Sequence, residues 1–202
     1  MATNLDNVKA ASALFAMLSD VFLRLPTRDG VVSLLATPVE QLRGDDGAEA
    51  LAEFVAENRD RDAETVLTEM AIDRAALVRG TGAKEVKPPY ECLYVGRNQN
   101  DVMGSLNRYY AEQGFEKQDG IHDTSDQIGV ELAFVAAMLE RQSALLEAGE
   151  YVEAEAAIEA VSTFRSQHLN RWAGQYADAL INHADTGYWR AVGLLLRGAI
   201  SL

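Results

Sequence analysis

The chain has 202 residues, 48% of them hydrophobic, with 31 acidic against 18 basic side chains and a formal charge of −13. That length suits one sizeable domain with its own core and is short for two ordinary ones. A field of that sign repels phosphate backbones and anionic membrane surfaces, so nucleic acid is not an expected partner and a cationic one is.

The N-terminal MATNLDNVKAASALFAMLSDVFLRL lacks the basic start of a secretory signal. Its Leu14, Leu18, Val21, Phe22 and Leu25 recur at helical spacing and predict a core-facing helix closed by Pro26. Thr37 before Pro38 predicts a cap with proline at the first helical position, hence a short helix over about 38–43. Leu51, Phe54 and Val55 mark a further stripe. Val66, Met70, Ala71, Ile72, Leu77 and Val78 mark another that ends at Gly80. The acidic residues crowded into 40–73 and 140–160 read as solvated helix faces.

GTGAKEVKPPY (80–90) is the clearest break, since glycines and paired prolines stop a helix and hold the chain extended. It is expected to cross between an N-terminal and a C-terminal set of helices. Beyond it, Asn100 or Asp101 can cap a helix running to Gly114, followed by a polar loop over 116–124. Thr124 or Ser125 can cap the next helix, in which Ile128, Leu132, Val135 and Leu139 share one face. Two more helical patterns run from about 151 to 176, with a break, and from about 186 to 200. The second would be capped by Asp185 or Thr186 and would bury Tyr188, Trp189, Val192, Leu195 and Leu196. No alternating strand pattern, solenoid repeat or run of about 18 apolar residues occurs. The expectation is a single all-α bundle over 1–202, cytoplasmic, without a membrane span, monomeric, with 80–90 as a hinge if helices exchange between chains.

Catalytic signatures are missing. His122, His168 and His183 follow Asp119, Arg165 and Leu180 by three positions, so the Glu-x-x-His pairs of di-iron bundles are absent, as are HExxH and GxSxG. RGTGAK lacks the spacing and ending of a phosphate-binding loop and reads as a turn. Cys92, the single cysteine, excludes an intramolecular disulfide and a multi-thiolate zinc site, fits a reducing compartment, and reads as a buried small residue. No metal, cofactor or enzyme activity is expected, and no basic helix suggests DNA binding.

Three patterns in fixed order carry the functional signal: PPYECLYVG (88–96), SLNRYYAEQGF (105–115) and DTSDQIGVELAFVAAML (123–139). Together with HLNRWAGQYADAL and GYWRAVGLLL near the end, this order resembles the TorD/DmsD/NarJ superfamily of redox-enzyme maturation chaperones, over about 77–196. The resemblance implies an all-helical, cofactor-free cytoplasmic chaperone. Its partner would be the apo catalytic subunit of a molybdenum or tungsten oxidoreductase, commonly through its twin-arginine signal peptide, held back from export until the cofactor is inserted. The nitrate-reductase branch implies an alternative, a helical adaptor that binds a folded redox-enzyme subunit without such a leader. A twin-arginine ligand needs an apolar groove for its hydrophobic stretch and carboxylates for its arginines.

Carried over by position, Pro89, Tyr90, Glu91 and Tyr94 match the family's proline-aromatic-glutamate segment and would form one wall of the site. The tyrosine faces would offer cation-π contact and Glu91 a forked pair of hydrogen bonds. Tyr90 and Tyr94, four apart, can equally pack a helix into the core. Asp126 matches the aspartate of the family's Pro-Asp-His motif, while Ser125 stands for the proline and Gln127 for the histidine. A carboxylate there can also serve only the helix dipole, worth about 0.3 to 1 kcal/mol. Gln127 can donate to a peptide carbonyl. Leu77 and Val78 sit where the family carries an apolar pair, available to a signal peptide or to core packing. Tyr110, Gly114 and Phe115 are expected to anchor a loop, and His168 and Trp172 to tie the closing helices by packing.

Overall fold

A computed structural model describes residues 5–42, 44–82 and 84–202; the last residue of the helix expected over 38–43 and residue 83 of the 80–90 crossover lie outside these. The all-α expectation holds. In chain order the helices are α1 (Leu5–Leu23), α2 (Arg28–Leu35), α3 (Asp46–Asn58), α4 (Ala63–Arg79), α5 (Glu91–Val95), α6 (Gln99–Glu112), α7 (Ile128–Ala148), α8 (Tyr151–Gln167), α9 (Ala173–His183) and α10 (Gly187–Ala199). Among the described residues there is no strand, only an isolated antiparallel bridge between Tyr90 and Gln127. The chain divides into two compact units, one built from residues 1–23, 90–172 and 202, the other from 24–89 and 173–201.

In the first unit α7 is the central helix, with α1 and α8 packed along it. Ile128, Leu132, Val135 and Leu139 are all buried, as their spacing predicts. Phe134 gathers Tyr110, Phe115 and Phe164 around it at ring-centroid distances of 5.1, 5.4 and 4.5 Å. These are offset and edge-on contacts of the kind aromatic quadrupoles favour. Gly114 takes φ +68 just after α6, so Phe115 can turn back onto Tyr110. The loop anchor expected of these three residues is therefore present. Gly129 allows α1 its close approach: a Cβ there would lie 2.6 Å from Leu23 Cγ.

The second unit surrounds Val31, Leu35, Phe54, Val55, Val66 and Met70. Trp189 joins α10 to this core by donating its indole N–H to the Met70 carbonyl at 2.9 Å. The α4 carboxylate of Asp73, 2% exposed, accepts from the Asp185 and Thr186 backbone N–H groups and from the Thr186 hydroxyl. It also pairs with Lys84 at 2.7 Å. A charge this deep is tolerated because every donor around it is aimed inward.

Several local expectations need correction. Leu25 lies beyond the end of α1 and is 72% exposed, and Ile72 is 65% exposed on the outer face of α4, where Asp73 and Arg74 turn inward instead. Thr37 does not cap: its hydroxyl donates back to the Ser33 carbonyl, and Pro38 itself precedes a 3-10 turn over Val39–Gln41. Helix α2, capped by Thr27 through the Gly30 N–H, was not anticipated. Asn98 caps α6, ahead of Asn100 and Asp101, and Gln127 caps α7, ahead of neither Thr124 nor Ser125 but after both. The break expected within 151–176 is a 3-10 turn over Leu169–Arg171 between α8 and α9. Thr186 caps α10 as expected.

Candidate functional site

The residues singled out by sequence fall into two sets. Leu77 and Val78 end α4 in the second unit, both buried, and the Leu77 carbonyl accepts from the Tyr176 hydroxyl at 3.4 Å. Pro89 is buried where the second unit's long segment ends. Tyr90, Glu91, Tyr94, Ser125, Asp126 and Gln127 all belong to the first unit, and there the structure brings them together.

The junction between α5 and the segment before α7 explains how. The Glu91 N–H donates to the Asp126 carbonyl at 2.8 Å, next to the Tyr90–Gln127 bridge. Tyr90 and Lys117 reach Asp123, the first through its hydroxyl to the carboxylate at 3.2 Å, the second through its ammonium to the carbonyl at 2.9 Å. Gln127, acting as cap, spends its amide oxygen on the Gly129 N–H. Asp126 therefore precedes the cap and does not stand in the first helical turn. Its Oδ1 accepts from the Thr124 hydroxyl at 2.6 Å, while Oδ2 is buried with no hydrogen-bond partner. Ser125 donates to Asn107 Oδ1, and its carbonyl accepts from Tyr110.

Burial changes what these groups can do. Glu91, Asp126 and Gln127 are 0%, 0% and 1% exposed. Glu91 meets His168 Nδ1 at 2.9 Å, so its carboxylate is occupied inside the unit. Sequence reasoning missed a third buried carboxyl, Glu131, to which the Trp172 indole N–H donates at 3.2 Å; Trp172 in turn lies 5.2 Å from the Tyr94 ring. Burial, reinforced by the nearby charge of Glu91, raises Glu131 well above the ordinary carboxyl range. Burial first, and the Asp126 carboxylate second, push the Cys92 thiol up to about 12, which leaves it inert as a nucleophile at neutral pH. His168 and Trp172 thus act as hydrogen-bonding anchors for two acids, and not by packing alone. Among the described residues no group of three metal-ligating side chains occurs, and no helix is long and apolar enough to cross a membrane.

The open surface of the first unit lies beside this network. A furrow of about 470 Å³ runs between α1 and α7, bordered by the segment 113–121. Ala16, Ala133 and Ala137 leave its floor shallow and apolar, and Phe115 supplies an aromatic edge. Asp20, Glu116 and Glu140 bring three carboxylates to it, against Lys117 and Arg141. The same Gly114–Lys117 segment lines a neighbouring hollow of about 320 Å³ that reaches Ser125 and Tyr110. The signal for this furrow in the sequence is the alanine cluster of α7 within an otherwise bulky helix, which leaves a gap that Leu or Val would fill.

Comparison with known proteins agrees with this architecture. The family model described as "Nitrate reductase delta subunit" matches residues 41–178. The chaperone protein YcdY of Escherichia coli (strain K12) is 29% identical over 135 residues, 67% of this chain and 63% of that protein. The match thus spans less than two thirds of that relative's length. With a family model covering well over half of its residues, the chain belongs to the nitrate reductase delta subunit family, within the TorD/DmsD/NarJ superfamily that its motifs at 88–139 resemble.

Proposed function

We propose that this protein is a non-enzymatic cytoplasmic chaperone for the apo catalytic subunit of a molybdenum or tungsten oxidoreductase. In this reading it engages the subunit's twin-arginine signal peptide and releases it once the cofactor is in place, itself carrying no cofactor. The observation that carries the reading is the α1–α7 furrow, an alanine floor with Asp20, Glu116 and Glu140 at its edge, in a member of this family. An apolar peptide stretch would lie on the floor, and flanking arginines would pair with the carboxylates. Glu91, Asp126 and Gln127 then serve indirectly: they hold 90–96 against 123–127 and so fix the segment that borders the furrow. Tyr90 and Tyr94, both partly exposed, are the residues that would contact a client in this reading, while Ser125, Leu77, Val78 and Pro89 are buried within their own units.

The test is calorimetric titration of the purified protein with a synthetic twin-arginine leader and with the same peptide carrying two alanines for the arginines. Binding weakened about tenfold or more by the exchange, about 1.4 kcal/mol, supports the reading. Equal binding of both peptides, with capture of a folded redox subunit lacking a leader, supports the adaptor reading that the family description favours.

A further inference from the structure

The first unit has a hollow of about 360 Å³ at the C-terminal end of α8. Every side chain that lines it is polar: Arg97 from the connection between α5 and α6, Ser105 from α6, Ser166 and Gln167 from the last turn of α8, then His168 and Arg171. In a chain with 31 acidic against 18 basic side chains, no aspartate or glutamate is among the described residues that line it. Arg97 and Arg171 are exposed, and neither side chain forms an ion pair with a described residue. The negative end of the α8 dipole accounts for one cation nearby. It does not account for a second, brought in from another element.

His168 separates one kind of anion from another. It is 3% exposed yet lines the hollow, with Phe164 stacked on its ring at 5.4 Å. Its Nδ1 lies 2.9 Å from the Glu91 carboxylate, an acceptor-only group, so Nδ1 carries the proton of that bond. In the neutral ring Nε2 is then an acceptor, and it has no hydrogen-bond partner among the described residues. The hollow thus offers two cations and one acceptor that calls for an N–H. A small dicarboxylate has the charge and lacks the donor. A phosphate group is ordinarily met by backbone N–H groups at a helix N-terminus, and the helix end here is the opposite one. An acidic stretch of polypeptide has carboxylates for the arginines and an N–H at each residue. We propose that this hollow docks an acidic segment of a partner polypeptide. Two of its carboxylates meet Arg97 and Arg171, and a backbone N–H between them donates to His168 Nε2. The formal charge of −13 opposes such a partner at long range, but physiological salt screens exposed charges beyond about 8 Å, so the close contacts decide. The hollow shares no lining residue with the α1–α7 furrow, and the proposal does not depend on what binds there.

The experiment is an NMR titration of the full chain, isotopically labelled in its arginine and histidine side chains, at physiological ionic strength. The probes are acetyl-Asp-Glu-Asp-Glu-amide, its neutral counterpart acetyl-Asn-Gln-Asn-Gln-amide, succinate and inorganic phosphate. The expected result is saturable shifts of the Arg97 and Arg171 Nε–H signals and of the His168 ring with the acidic peptide. Its affinity should exceed those of succinate and phosphate about tenfold or more. The neutral peptide should leave these signals in place. Arg97→Gln and Arg171→Gln, both at exposed positions, should each weaken the acidic peptide several-fold. No saturable shift with the acidic peptide, equal binding of the neutral one, succinate or phosphate binding as tightly, or unchanged affinity in both arginine variants would each overturn the proposal. The four probes are compared on the unaltered protein, so a variant that folds poorly does not decide the outcome.

Discussion

Glu91, Asp126 and Glu131 place three buried acids in one unit, and each is kept there by a different neighbour. For Glu131 the pH consequence has a definite sign. Its pKa is raised above the ordinary 4.5 in the folded chain, so below that value the group is neutral in both states and costs nothing. As pH rises, ionisation favours the unfolded chain, and stability is lost until the folded pKa is passed. Glu131→Gln keeps an acceptor for Trp172 and removes the ionisation. Its melting temperature relative to the unaltered protein should therefore climb between pH 4.5 and 8; a constant difference over that range would contradict the raised pKa. Glu91→Ala leaves His168 buried without its partner and should cost about 3 to 5 kcal/mol in chemical denaturation, while Glu91→Gln should cost less. Residue type at 91 and 126 was legible in the sequence, but burial was not. The groups that occupy Glu91 and Glu131 come from 77 and 41 positions away, a separation that only the fold closes.

Helix α7 shows what a periodic pattern can and cannot reveal. Its buried face follows directly from Ile128, Leu132, Val135 and Leu139, because a 3.6-residue repeat of large apolar groups has one burial solution. The glycine one position into the helix is silent in the pattern and decisive in packing. Gly129→Ala would drive a methyl into Leu23 and should cost about 1 to 3 kcal/mol, read as a lower denaturation midpoint with an unchanged slope. Short elements were the ones missed. Helix α5 has five residues between Tyr90 and a left-handed Gly96, too few for a repeat to show. Helix α2 has eight and buries only Val31 and Leu35, so its one legible mark was the Thr27 cap. Leu25 and Ile72 failed as core residues for another reason: an apolar residue is not obliged to be inside, and Leu25 lies past the end of α1 while Ile72 lies on the outer face of α4. The furrow is marked in the sequence only by the α7 alanines, a signal that a search for large apolar repeats passes over.

The chain enters and leaves each unit more than once, passing at 23/24, 89/90, 172/173 and 201/202. If the chain acts as the one domain its length suggests, both units should unfold together. The two tryptophans test this, since Trp172 lies in the first unit and Trp189 in the second. In Trp172→Phe and Trp189→Phe proteins the remaining indole should report superimposable urea transitions; separate midpoints would mean two domains. The same threading has a consequence for synthesis on the ribosome. Helix α1 emerges first but finds its neighbours only after α7 and α8 have been made, and the second unit waits for α9 and α10. The nascent protein must therefore carry the apolar face of α1, and the side of α3 that α10 later covers, exposed through most of its translation, while α2, α3 and α4 can already pack on one another. A released chain that ended shortly after Trp172 would hold a first unit whose main segments are all made, beside a second that lacks Trp189 and its bond to Met70.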